Sequence, residues 1–341
     1  MFWKRDAFKE YGMYVLRFFK DSYIIYVIID DKLPVKRKDK RLIFGRSKDP
    51  NELWVPLIEK AYAKLHGSYK SLIGGFVHNG LADLTGYSPR LIVMKEGYVG
   101  FSKKYDKEEI WGILLQYIEW GCLLGCSIQA NPKDKDKKDK VEGDEGHGLL
   151  SGHAYSLLSM GIIKAEGEDV KKKGEKEIRL IKIRNPWGRG EWEGEFGDES
   201  KEREQYESQI NTVFNEKQRA QERVGIDNND GTFFMRFDDW FNKFTSVFAA
   251  IKFPLHWAGK RIQGKWSGEQ GGNRDQGTWI SNPQIKFKLE KEDGMSGDDV
   301  FREVFIGLYI KDTRLSMGAE YFKVSTVQLV SHCSFYLFIP S

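Results

Sequence analysis

Two short segments carry residue types that do chemistry together: Gly152-His153-Ala154-Tyr155-Ser156 and Ile183-Arg184-Asn185-Pro186-Trp187-Gly188. Each sits at the edge of an apolar, strand-like run, with a charged stretch between them. An imidazole takes the proton of a thiol, and an amide or carboxylate orients the ring while it holds the charge. Neighbouring strands lie about 4.8 Å apart, so a histidine on one and an asparagine at the end of the next meet side by side. Trp187 can then cover their hydrogen bond and lower the local dielectric. Alone, the pair also fits a buried histidine satisfied by a neighbouring amide.

The chain holds three cysteines, Cys122, Cys126 and Cys333. A reactive thiol wants a helix N-terminus, whose dipole favours the thiolate. Cys122 and Cys126 instead follow a helix end and lie in a strand that leads to a charged loop. Cys333 falls in an apolar C-terminal strand. All three read as buried small hydrophobes. The i, i+4 spacing of Cys122 and Cys126, without further Cys or His nearby in sequence, is poor support for zinc.

The elements that must position His153 and Asn185 come from a chain of 341 residues, 40% hydrophobic and 30% charged. That composition supports a real core and excludes global disorder. The net charge of +4 forces no broad nucleic-acid or membrane patch. The longest apolar stretch, Tyr23–Ile29, is far shorter than the ~20 residues that cross a bilayer. Sparse, odd-numbered cysteines point to a reducing compartment. The expectation is a cytoplasmic protein with no transmembrane segment and no nucleic-acid partner.

Tyr14–Phe19 and Tyr23–Ile29 read as a hairpin, followed by a basic turn at Lys36–Arg41 and a short strand at Leu42–Phe44. Helical spacing marks Glu52–Leu65 and Glu108–Glu119. Gly74–Gly86 reads as a glycine-rich turn region. Strands are expected at Cys122–Ala130, Gly152–Ile162, Ile178–Ile183, Phe233–Phe237 and Phe248–Phe253. A polar helix is expected over Glu199–Arg223. Lys133–Glu145 and Glu166–Glu177 read as solvated charged loops. From about Trp257 the texture turns all-β, with short strands at Gln284–Leu289, Val304–Ile310 and Thr326–Phe338, which suggests a second, sandwich domain.

At the His and Asn segments the sequence resembles the calpain family of papain-like cysteine endopeptidases. The resemblance extends through Asp30-Asp31-Lys32-Leu33-Pro34, Lys48-Asp49-Pro50-Asn51-Glu52-Leu53-Trp54, Glu59–Lys64, Gly67-Ser68-Tyr69, Gly74-Gly75 and Leu123-Leu124-Gly125-Cys126-Ser127. Trp279 and Asn282-Pro283-Gln284 look like the opening of the β-sandwich that follows the calpain core. The resemblance implies an α+β fold: a papain-like protease core followed by a partial, C2-like β-sandwich. Residues 1–100 would be the remainder of the first core subdomain, 101–254 the second subdomain with the His and Asn, and 255–341 the partial sandwich.

The implied function is calcium-dependent limited proteolysis of intracellular proteins, with His153 as general base, Asn185 as its orienter and Trp187 in support. Implied partners are protein substrates, and phospholipid through the sandwich. Calpains place the nucleophile at the N-terminus of a central helix, in a Gln-Gly-x-x-Gly-Asp-Cys-Trp-like segment that these 341 residues do not contain. The expectation is a core lacking its nucleophile helix, a fragment of a thiol protease with the Cys upstream of Met1, inactive alone. The alternative is a catalytically inactive calpain-like regulatory or binding protein.

Calcium takes six to eight hard oxygens at about 2.3–2.6 Å. By the resemblance, Glu191, Asp198 and Asp230 would supply carboxylates and Asn228 a backbone carbonyl. Thr232 stands where the family has an acidic ligand, so weaker binding is expected. Glu52 matches the acidic ligand of a second core site.

Overall fold

A computed structural model describes residues 8–129 apart from 22, 48 and 99–102, residues 143–215 apart from 168, 171–173 and 175, and residues 230–264, 277, 281, 305–310 and 333–340. Contacts divide the chain into two units, 1–86 with 253–341, and 87–252.

In the first unit, strand β1 (Met13–Lys20) pairs antiparallel with β2 (Tyr23–Asp30), Lys20 facing Tyr23 across the turn. Asp21 takes a positive φ of 49° there, as a tight link between strands demands. This is the hairpin that the β-branched and aromatic runs predict. Leu16, Phe18, Val27 and Ile29 share one face and pack on Leu57 and Ala61 of helix α1 (Trp54–Leu65). Lysines of α1 hold the end of β2. Lys60 Nζ donates to Asp30 Oδ1 at 2.6 Å and to the Lys32 carbonyl, and Lys64 Nζ donates to the Ile28 carbonyl. The strand expected at Leu42–Phe44 reduces to one isolated bridge, Val35 to Leu42.

The glycine-rich region is corrected by the structure: Val77–Thr85 forms helix α2. Val77, Leu81 and Leu84 recur at helical spacing. Gly80, which costs the helix about 1 kcal/mol relative to alanine, approaches the Tyr62 hydroxyl to 3.9 Å from its ideal Cβ position. The true glycine stop is Gly86, left-handed at φ 77° and donating back to the Ala82 carbonyl.

One carboxylate ties β1, α1 and α2 together. Asp83 Oδ2 accepts from Lys20 Nζ at 3.0 Å and from the Tyr62 hydroxyl at 2.8 Å, and His66 Nε2 lies 3.4 Å away. Lys20, His66 and Asp83 are all buried.

The second unit is built on β3 (Ser88–Val93), α3 (Lys107–Glu119), β4 (Leu123–Ile128), β5 (Gly143–Gly146), β6 (Leu149–Ser151), β7 (His153–Lys164), β8 (Glu177–Arg184), α4 (Lys201–Gln205), α5 (Glu207–Val213), β9 (Thr232–Arg236), α6 (Phe237–Lys243) and β10 (Ser246–Ile251). Six of these strands form one antiparallel sheet in the order β3-β10-β4-β7-β8-β9. The edge strand β3 is absent from the sequence expectation. Its Ser-Pro-Arg opening carries no strand signal, and only pairing with β10 makes it one.

Helices cover both faces of the sheet, and β8, although it alternates charged and apolar residues, buries Ile178, Leu180, Ile181, Lys182 and Ile183. Ile178 and Leu180 pack with Tyr206, Ile210 and Phe214 on one side. On the other, Trp111 of α3 meets Phe237 of α6 edge to face at 4.8 Å. The helix expected over 199–223 is broken at Tyr206 into α4 and α5, and residues 216–229 lie outside the described residues. Tyr206 is fully buried, and its hydroxyl donates to Asp169 Oδ2 at 2.7 Å and accepts from Glu166 N at 2.8 Å. That anchorage holds Glu166 and Asp169 at the helical break.

Strands β11 (Trp257–Gly264), β12 (Phe305–Ile310) and β13 (Cys333–Pro340) form a three-stranded antiparallel sheet with β13 central. The expected strand at 284–289, Trp279 and Asn282 lie outside the described residues, as does most of the 133–145 insertion.

Removing the Asp83 carboxylate leaves the Lys20 ammonium buried without its anion. Breaking a buried pair from one side costs about 3–5 kcal/mol. Asp83→Ala is therefore expected to lower the urea midpoint sharply. The double variant Lys20→Met/Asp83→Leu is expected to recover most of the loss, which equilibrium unfolding reads directly.

Candidate active site

The sheet register brings the two chemical segments together. β7 and β8 are antiparallel, with Ser156 opposite Arg184, so the start of β7 lies beside the end of β8. His153 opens β7 opposite Ile128 of β4, and Asn185 follows β8 immediately. His153 Nε2 and Asn185 Oδ1 are 2.9 Å apart. The Trp187 ring lies over the imidazole at 4.6 Å between centroids, and Tyr155 meets it edge-on at 4.9 Å. His153 is 6% exposed, Asn185 0% and Trp187 49%, so the indole faces solvent on one side and shields the pair on the other.

The amide orientation follows from its donors. Trp187 N can only donate, and it reaches Asn185 Oδ1 at 3.1 Å, while Asn185 Nδ2 donates to the Gly190 carbonyl at 3.2 Å. The oxygen therefore faces the imidazole, and His153 Nε2 must carry the proton it donates. In the neutral ring the basic lone pair is then on Nδ1. An imidazole so held takes a proton at Nδ1, and the resulting cation is stabilised by the amide oxygen at Nε2.

Two glycines make room for this, one of them ending the Asp227-Asn228-Asn229-Asp230-Gly231 run that the sequence marks as a turn. Gly231, at φ 82°, accepts from Asn185 N at 2.8 Å, and a Cβ on it would lie 2.6 Å from the Asn185 carbonyl oxygen. Gly148, in the β5–β6 turn, approaches so closely that a Cβ would lie 1.8 Å from the Glu191 carbonyl. Glu193 N donates to the His147 carbonyl at 3.0 Å, fixing that turn on the loop beyond Asn185. Asp-Gly at 230–231 signalled a turn in the sequence. Gly148 carried no signal beyond its residue type.

Neither described thiol is placed as a nucleophile. Cys126 lies on the same face of the sheet as His153, two residues from its partner Ile128, but it is fully buried and its Sγ accepts from Trp240 Nε1 at 3.5 Å. Burial pushes its pKa up to about 12, leaving about one thiolate in 10⁵ at neutral pH. Burial also raises Cys122, whose Sγ accepts from Lys252 N at 3.4 Å. Cys333 stands on β13.

Of the expected calcium ligands, the structure brings together Glu191, Asp198 and Asp230. Glu191 and Asp198 share a hydrogen bond, and Glu191 Oε1 accepts from Gly231 N at 2.9 Å. Desolvation first, then the Asp198 charge, pushes Glu191 up to about 7, and desolvation raises Asp198 as well. Asp230 Oδ1 is engaged by Thr232 N at 2.9 Å, and Thr232 Oγ1 is buried without a hydrogen-bond partner among the described residues. Among the described residues, no group of three or more His, Cys, Asp or Glu side chains is arranged to hold a metal ion. The donors are hard oxygens of the right chemistry, but Glu191, Asp198 and Asp230 do not converge into a calcium cage. Asn228 lies outside the described residues. Glu52, in the first unit, is exposed and accepts from Ser47 Oγ at 2.5 Å.

Comparison with known proteins supplies the family. The model of the calpain family cysteine proteases matches residues 2–250. Calpain-9 of Rattus norvegicus is 33% identical over 299 residues, 84% of this chain and 38% of its own length. The calpain-1 catalytic subunit of Sus scrofa is 32% identical over 307 residues, 86% of this chain and 38% of its own. The calpain-type cysteine protease DEK1 of Arabidopsis thaliana is 30% identical over 296 residues, 86% of this chain and 12% of its own. The chain thus spans well under half the length of these relatives. With the antiparallel sheet and its juxtaposed histidine and asparagine, the match over residues 2–250 means that this chain belongs to the calpain family of cysteine proteases.

Proposed function

We propose that the chain is the His- and Asn-bearing part of a calpain-type, calcium-dependent cysteine endopeptidase that performs limited proteolysis of intracellular proteins in the cytoplasm. The observation that carries this is the 2.9 Å bond from His153 Nε2 to Asn185 Oδ1 beneath Trp187. His153 is the general base and Asn185 its orienter. The nucleophilic thiol comes from a residue other than Cys122, Cys126 and Cys333, on a helix outside these residues. Residues 1–100 and 101–254 form the two parts of the core, and 255–341 a partial C2-like sandwich that meets phospholipid.

The order of events follows from the tautomer. The thiol yields its proton to His153 Nδ1, the thiolate attacks the scissile carbonyl, and the imidazolium returns the proton to the leaving amine. Glu191, Asp198, Asp230 and Asn228 are the residues that would hold calcium, whose charge would offset the clustered carboxylates; Glu52 would belong to a second site. The full burial of Cys126, its Sγ accepting from Trp240 Nε1, favours a second reading, a regulatory or binding protein without peptidase activity.

Three outcomes are expected. The 341-residue chain leaves casein intact with or without calcium; cleavage that disappears in Cys126→Ala overturns the account of the nucleophile. Nitrogen-15 shifts of His153 report the Nε2–H tautomer, and Asn185→Ala abolishes that preference. In the protease with its thiol, the same substitution lowers kcat by about 10²–10⁴-fold.

The third outcome concerns pH. A carboxyl whose pKa is raised on folding stabilises the fold below its unfolded value near 4.5 and loses that contribution as pH rises through about 7. Thermal stability should therefore fall between pH 5 and pH 8, and Glu191→Gln should flatten the dependence. Calcium should raise Tm more at pH 7.5 than at pH 5.5; an equal rise at both would argue against Glu191 and Asp198 as ligands.

A further inference from the structure

The turn between β2 and α1 carries a charge density that proteolysis does not use. Residues 36–41 read Lys-Arg-Lys-Asp-Lys-Arg, five cations in six positions. The turn is closed by the Val35–Leu42 bridge and by Lys36 N donating to the Arg41 carbonyl at 2.8 Å. Its one anion is used internally. Asp39 Oδ1 accepts from Arg41 N at 3.2 Å, and Asp39 Oδ2 lies 3.5 Å from Arg41 Nε. Among the described residues this is the only ion pair the turn makes. All six residues are exposed.

Apolar side chains flank the cations at the base of the turn. Val35 is 40% exposed and Ile43 50%. Phe44 is 40% exposed, with its ring stacked on Tyr69 at 3.9 Å. The cations at the tip reach a surface before the apolar residues behind them, and the layer they meet first on a membrane is the charged headgroups. Five like charges on one turn repel one another, and a continuous anionic surface relieves that repulsion better than any single partner carboxylate. A reverse turn also presents no groove for an extended acidic peptide and no helix or ribbon for a duplex groove.

We propose that this basic turn docks the protein onto anionic phospholipid, with Lys36, Arg37, Lys38, Lys40 and Arg41 at the headgroups. The contact is electrostatic and reversible, because attraction to an anionic leaflet fades within a Debye length of about 8–10 Å. It is separate from any lipid contact made by residues 255–341, and it holds whether or not the protein is an active peptidase.

The test is co-sedimentation of the full chain with vesicles of phosphatidylcholine alone and of phosphatidylcholine with about 30% phosphatidylserine, at low and high salt. Binding is expected on the anionic vesicles only, and to be lost at high salt. Each cation removed should weaken it about fivefold, so Lys36→Glu/Lys38→Glu/Lys40→Glu should abolish it while an unchanged melting curve reports an intact fold. Ile43→Ser, which removes no charge and lies behind the cations, should leave binding and its salt dependence unchanged. Equal binding to neutral vesicles would overturn the proposal, as would binding unchanged by the triple substitution. Retention on poly-glutamate or duplex DNA without vesicle binding would overturn it in favour of a peptide or nucleic-acid partner.

Discussion

The buried side-chain amide of Asn185 is the constraint on which the rest of the site depends. An amide with no solvent contact must find a partner for each polar atom inside the protein, because an unsatisfied one costs about 1–3 kcal/mol. Here the oxygen takes two donors, His153 and Trp187 N, and the nitrogen gives one bond to Gly190. The main chain is held by Gly231 on one side and Gly188 on the other. Satisfying one residue therefore fixes the imidazole tautomer, the turn at 185–188, the position of the indole and the approach of the strand that begins at Thr232. Rotating the amide by half a turn would set a donor against Trp187 N, so the arrangement has one low-energy state.

That constraint propagates into the loop that follows. Asn185 N reaches Gly231 O, and Gly231 N reaches Glu191, so the oriented amide and the carboxylate cluster share one glycine. No side chain fits at Gly231, since its Cβ would collide with the Asn185 carbonyl. Charge on Glu191, Asp198 and Asp230 is consequently expressed at the backbone that holds Asn185. Neutralising those carboxylates, by protons or by a cation, acts on the same few atoms.

Much of this was legible in the sequence because it was local or repetitive. The alternation in Tyr14–Ile29, the apolar run of β7, the isoleucines and leucine of β8 and the helical spacing of α1 and α3 each specify an element without tertiary help. His153 and Asn185 were readable as a pair because the ends of adjacent antiparallel strands are neighbours. What escaped depends on contacts across the chain. α2 was hidden by its glycines and becomes a helix because Leu84 packs against the β1–β2 face and Asp83 is claimed by Lys20 and Tyr62. β3 exists only as a partner of β10. The break at Tyr206 is invisible in a polar helical pattern, since it is set by Asp169 and Glu166 in a loop some 40 positions away.

The same burial has opposite consequences for the two kinds of group on this sheet face. It strengthens the His153–Asn185 bond, because a dry environment raises the worth of a well-aligned neutral hydrogen bond. It weakens Cys126, because the thiolate would be a bare charge offset by one indole N–H. A thiol gains in acidity where a positive dipole meets solvent, at a helix N-terminus, rather than within a strand as Cys126 lies. The half-exposed Trp187 completes that dry environment, with one face to solvent and the other over the imidazole. A fold that divides the work in this way can hold its base and orienter rigidly in place regardless of how the thiol is delivered.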